Sequence, residues 1–280
     1  MLSVQLGSAL SVGLIDTVGA AGTAWLRLTF GALVFLAVAR PRPSRVRRTD
    51  LPALLALGVM TGLMTISFLA AIDRIPLGTT VAIEFLGPLT VAAVRSRSRR
   101  ALVWPGLAFL GVLLLTQPWQ GEIDAVGVGF AAFSALGWGS YILLTQRVGD
   151  RYEGVTGLAL TIPVAALTSA VSGVPQAAGH LTVEVVATAF GLALLLPVLP
   201  FTLEMLALRR LTSAAFGTLM ALEPGFGTLL GLLLLHQVPA PTQLAGLALV
   251  VLAGAAAQRR GRREPHPPAT ALQAEADVVT

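Results

Sequence analysis

Residues 79–94 read TTVAIEFLGPLTVAAV, an apolar run with a single carboxylate, Glu84, near its centre and Pro88 one helical turn later. Taken from 75 to 94, the run has about the 20 residues that a helix needs to cross roughly 30 Å of hydrocarbon. Runs of the same character recur at 1–15, 20–39, 51–72, 101–117, 126–146, 154–173, 184–206, 213–235 and 243–257. Ten such segments with short connections predict an all-α integral membrane protein of ten transmembrane helices. The first run falls short of the spanning length, so the first helix is expected to be truncated.

Composition agrees with a bilayer as solvent. The 280 residues are 55% hydrophobic and 12% charged, with a mean hydropathy of +0.80, too apolar for an ordinary soluble domain of this size. Cysteine is absent, which excludes disulfides and thiol chemistry. The net charge of +5 does not point to nucleic acid, because its arginines stand in loops between apolar runs. Arg40, Arg42, Arg45, Arg47 and Arg48 follow the second run, and Arg95, Arg97, Arg99 and Arg100 the fourth. Arg147 and Arg151 follow the sixth, Arg209 and Arg210 the eighth, and Arg259, Arg260, Arg262 and Arg263 the tenth. If ten spans alternate, 17 of the 19 arginines share one side; by the positive-inside rule that side is cytoplasmic and holds both termini.

The chain carries a faint internal repeat. Shifted by 136 positions, AIDRIPLGTTVAIEFLGPL from Ala71 lies over ALRRLTSAAFGTLMALEPG from Ala207, matching Arg74 with Arg210 and Pro88 with Pro224. An odd number of spans per repeat inverts the second copy, a plan common among secondary transporters. The expected division is a first five-helix repeat at 1–125, a second at 126–257, and a tail at 258–280 with too little apolar content to pack.

Ionisable groups inside the runs are the candidate functional residues. Glu84 and Glu223 each lie about 15 Å along their runs, near the bilayer midplane. A charge there costs about 2.5–3.5 kcal/mol on insertion scales, so such a side chain faces protein or water, and most mark a transport pathway. Pro88 and Pro224 follow the two glutamates within a turn, and each is expected to kink its helix by withholding an N–H. Arg27 is the cation inside the second run; it either snorkels as an anchor or partners a glutamate or a substrate carboxylate. Glu204 is near the cytoplasmic end of the eighth run, within reach of Arg209 and Arg210, and Tyr141 offers a hydroxyl to a cavity or a ring to the interface belt. Gly58–Gly62 and Gly227–Gly231 have GxxxG spacing, read as close packing rather than dimerisation. No metal site or cofactor motif is evident.

Several longer stretches carry a family resemblance: IPLGTTVAIEFLGPL at 75–89, LPFTLEMLALRRL at 199–211 and FGTLMALEP at 216–224, with VQLGSAL at Val4, Arg27 between its leucines, and YILLTQR at Tyr141. Together they resemble the ten-helix drug/metabolite transporter superfamily, and within it the EamA-type exporters similar to bacterial threonine/homoserine exporters. The resemblance implies a bacterial inner-membrane location and proton-coupled export of a small polar metabolite by alternating access. On that view Glu84, Glu223 and Arg27 form the polar centre, and a proton on a carboxylate offsets its burial in one state. The partners are then a small-molecule substrate, the lipid bilayer and the proton. Three rivals remain at this point: an integral membrane enzyme, against which the chain shows no HExxH or GxSxG; a non-transporting membrane partner such as a receptor or assembly subunit; and an exporter of another metabolite or drug class.

Overall fold

The computed structural model describes residues 1–41, 46–95, 102–117, 124–149, 155–200 and 220–260, together with Trp119, Tyr152 and Leu203. Among these residues the regular structure is helical. Five stretches, Leu2–Ala39, Arg48–Ile72, Leu77–Val94, Ala125–Thr145 and Thr156–Ala177, are long and apolar enough to cross a bilayer, and shorter apolar helices accompany them.

Helix α1 spans Leu2–Ala39 but is broken at Gly19, whose φ of 73° and ψ of 168° lie in a region that only glycine occupies without strain. The Arg27 guanidinium donates to Ser11 Oγ at 2.8 Å although 16 residues separate them; on a straight helix they would stand about 24 Å apart. The chain therefore reverses at Gly19 and α1 is a hairpin of two antiparallel helices. The second restarts with its N–H groups free, and Gln176 Oε1 accepts from Ala21 N at 2.8 Å and Gly22 N at 3.1 Å. The first run, read as ending at residue 15, continues as helix to Val18.

Helix α2, Leu51–Ile72, opens with a proline at its first turn. The 75–94 run forms α3, Leu77–Glu84, and α4, Leu86–Arg95. Gln237 Oε1 accepts from the leading Leu77 N–H at 3.0 Å. Helices α5, Val103–Thr116, and α6, Ala125–Gly149, follow; α6 is started by Asp124, whose Oδ1 accepts from Gly127 N at 2.9 Å. Helix α7 is Thr156–Ala177, and α8, Val183–Ala193, is capped by Thr182 Oγ1 accepting from Val185 N at 3.2 Å. A π-turn at Leu194–Val198 then loosens the ladder around Pro197, with Leu196 extended at φ −160°. Helices α9, Glu223–Leu235, and α10, Pro241–Arg260, close the described chain.

Apolar lipid gives helices no hydrophobic reason to associate, so contacts depend on close approach and hydrogen bonds. At Gly58 and Gly62 of α2 an added Cβ would lie 2.7 Å from the carbonyls of Thr161 and Ala165 on α7. This GxxxG pair therefore packs within the chain. Gly111 of α5 and Gly246 of α10 meet reciprocally: a Cβ on either would lie 2.6 or 2.5 Å from the other's carbonyl oxygen. Buried hydroxyls such as those of Ser11, Thr61 and Ser169 donate to the carbonyl four residues back and so are satisfied within their own helices. Large apolar side chains face outward, with Leu136 and Leu167 each 72% exposed, a surface suited to acyl chains.

Candidate functional site

Pro88 has no N–H to offer the carbonyl of Glu84, and the helix breaks where that bond is missing: α3 ends at Glu84, Phe85 is a turn residue, and α4 starts at Leu86. This break leaves Glu84 at the C-terminal end of α3. Pro224 acts differently. Met220 is helical, Ala221 and Leu222 form a turn, and the proline sits in the first turn of α9, where a missing N–H costs nothing. Glu223 is thus the first residue of a half-helix, and it is 6% exposed.

Glu84 is half-buried between α3 and α6. Its Oε1 accepts from Ser134 Oγ at 2.5 Å, and the same hydroxyl lies 3.3 Å from the carbonyl oxygen of Met64 on α2. A serine hydroxyl has one hydrogen. While Glu84 is a carboxylate, that hydrogen is drawn to it; once Glu84 carries a proton, its O–H can donate to Ser134 Oγ, and the serine hydrogen becomes free for Met64. The hydrogen-bond direction thus follows the charge of Glu84. Phe85 packs edge-on against Trp138 with ring centres 6.3 Å apart, bringing the break in the 75–94 run against α6.

Arg27 does not snorkel. It is 3% exposed, its Nη1 bonds Ser11 across the hairpin, and its Nε has no partner. Among the described residues the ion pair formed is Arg74 with Asp124 at 3.0 Å, in the connections at the opposite ends of α2 and α6 from Arg48 and Gly149. Asp124 lies below the usual carboxylate range, first because Gly127 N–H donates to it and then because Arg74 does. Tyr141 lies two turns beyond Ser134 on the same face of α6, about 10 Å along it, and packs against the cluster of Leu54, Leu57 and Val148. Glu204 lies outside the described residues.

A cavity of about 220 Å³ opens beside the Arg74–Asp124 pair, lined also by Pro76, Thr79, Gln117 and Gln243. Glu84 is not on its wall, although Thr79 stands five residues earlier on α3. Ser134 and Ser11, the hydroxyl partners of Glu84 and Arg27, were not singled out by sequence reasoning. Their signal was a short hydroxyl within an apolar stretch, AAFSALG and SALSVGL, and nothing in that spacing names a partner.

A helical bundle with an apolar exterior and ionisable groups seated at breaks in its helices has the build of a secondary transporter. The model of the EamA-like transporter family matches residues 125–256. The threonine/homoserine exporter RhtA of Escherichia coli (strain K12) is 36% identical over 267 residues, covering 94% of this chain and 90% of that protein. The threonine/homoserine exporter RhtA of Salmonella typhimurium (strain LT2) is 34% identical over 268 residues, covering 95% and 90%. The chain belongs to the EamA-like transporter family. It is a bacterial-type multi-pass membrane protein, and its family is one of transporters.

Proposed function

We propose that this chain exports a small amino acid of the threonine or homoserine kind in exchange for protons, by alternating access between two inverted five-helix halves. The halves are 1–125 and 126–257, making ten spans in all, with both termini cytoplasmic in the inner membrane. The observation that carries the reading is the seating of two carboxylates on opposite sides of helix breaks. Glu84 closes α3 and Glu223 opens α9. A helix N-terminus attracts negative charge and a C-terminus does not, so the two carboxylates have unlike duties. Glu84 is the group that takes and releases the proton, and Glu223 stays an anion that shapes the cavity. Tyr141 and Glu204 border the same pathway toward the cytoplasm.

Packing supports the two halves. Helix α2 touches α6 at Met64–Gly137 and α7 at Gly58–Val164. Its counterpart, α8 with the π-turn, touches the first half of α1 at Gly7–Leu196 and the second at Gly31–Pro197. The Gly111–Gly246 contact is reciprocal, as a pseudo-two-fold axis between α5 and α10 would require. The one-sided arginines support the orientation, and the names of the relatives support the substrate class.

The test is uptake of labelled threonine or homoserine into everted membrane vesicles with an imposed pH gradient. Glu84→Gln should abolish gradient-driven uptake while membrane insertion is unchanged. Wild-type rates in that variant would return Glu84 to a packing role.

A further inference from the structure

We infer that Arg27, held by Ser11, is the receptor for the carboxylate of the transported molecule; this rests on the reading of the chain as an amino-acid exporter. A guanidinium stays charged in any protein environment, and an unpaired charge buried in an apolar interior is strongly unfavourable. Arg27 is 3% exposed, and among the described residues its polar contact is one neutral hydroxyl, Ser11 Oγ at 2.8 Å. That bond engages Nη1. The opposite edge, formed by Nε and Nη2, is the fork whose two parallel N–H groups match the oxygens of a carboxylate, and Nε is buried without a partner. Ser11 in turn donates its hydrogen to the Gly7 carbonyl at 2.6 Å, so its oxygen is fixed as an acceptor and holds the guanidinium plane in place.

Thr23 adds a second group to the same spot. It precedes Arg27 by one helical turn on the same face, is fully buried, and its Oγ1 also lacks a partner. A buried cation and a buried hydroxyl, both unsatisfied and adjacent, describe a site that an anion enters and leaves. Neighbouring Ala24 shares a hydrophobic cluster with Leu77 and Val81 of α3, the half-helix that ends in Glu84.

The experiment compares threonine with threonine amide, which lacks the carboxylate, on the full-length chain in proteoliposomes and in detergent melts. Threonine should be transported and should raise the melting temperature of the wild type, and the amide should do neither. Arg27→Gln should raise the KM for threonine at least tenfold and remove the thermal shift, with Arg27→Lys intermediate. If Arg27→Gln fails to insert, Ser11→Ala, which keeps the charge but unfastens it, should raise KM several-fold with little change in maximal rate. Unchanged KM in a folded Arg27→Gln or Ser11→Ala protein, or competition by the amide as strong as by threonine, overturns the inference while leaving the exporter reading intact. If the wild type moves neither threonine nor homoserine, yet a small carboxylate such as acetate stabilises it and not Arg27→Gln, the site stands and the substrate reading falls.

Discussion

Replacing Gly19 by alanine should unfasten the α1 hairpin, and the loss divides into two parts that can be measured separately. The first is the backbone: a residue with a Cβ held at φ 73° and ψ 168° costs about 1–3 kcal/mol. The second is the cap. The new methyl would lie 2.1 Å from Gln176 Cδ and 2.2 Å from its Nε2, so the side chain must leave and its two bonds to Ala21 and Gly22 are lost. At about 0.5–1.5 kcal/mol per bond, the total is roughly 2–6 kcal/mol. Gln176→Ala removes only the second part. Thermal melts of the four proteins in one detergent should therefore rank wild type above Gln176→Ala, and both above Gly19→Ala. The double variant should melt with Gly19→Ala, because the cap has already gone. Strict additivity, or a Gly19→Ala protein as stable as wild type, would refute the assignment of the break to this glycine and its cap.

Ser134→Ala removes the hydroxyl partner of Glu84. Since a hydrogen bond to a charged group contributes about 1.5–3 kcal/mol, gradient-driven flux should fall about tenfold or more, and Ser134→Thr should restore most of it; undiminished flux in the alanine variant would remove the hydroxyl from the proton path. Asp124→Asn should destabilise the protein at neutral pH. Because the folded group titrates below its ordinary value of 3.8, its contribution is complete above that range and is lost only as pH falls through the lower folded value. Melts of wild type and variant should converge below the ordinary carboxylate range, and convergence between pH 8 and 6 would contradict this. Raising salt should narrow the difference only slightly, because the Arg74 pair is half-exposed and the Gly127 N–H bond is the larger cause.

The parts of this fold that follow from one residue's own covalent chemistry were legible in the sequence. Apolar runs announced helices, and Pro88 announced a break at Glu84, because a missing N–H acts on a carbonyl at a fixed distance along the chain. The same rule applied to Pro224 does not say where the chain turns: a turn at Ala221 and Leu222 separates Met220 from α9, and the proline stands in the first turn of that helix. Pro197 stood in a run read as one continuous helix, and the backbone loosens beside it at Leu196. Partners were not legible. Ser134 meets Glu84 across 50 residues and Gln176 meets Ala21 across 155; a short hydroxyl or amide in an apolar run looks the same whether it bonds its own helix or another. For Arg27 the sequence leaves anchor and partner both open, because snorkelling depends on depth and on which neighbours close over the side chain.

The crossing of α5 and α10 restricts how the molecule can move. With each glycine facing the other's carbonyl oxygen, the two backbones approach closely at that point, and the Val250 and Leu114 side chains close in beside them. Sliding one helix along the other would carry a side chain into a gap that a single Cβ would already overfill, so translation is opposed at this crossing more than rotation about it. Of the two ways in which packed domains rearrange, hinging suits this pair better than shear. The crossing is expected to act as a pivot, with displacements growing with distance from it and small in α5 and α10 themselves. Spin labels placed on those two helices should report nearly constant separation through the transport cycle, and labels on α1 and α7 the largest change.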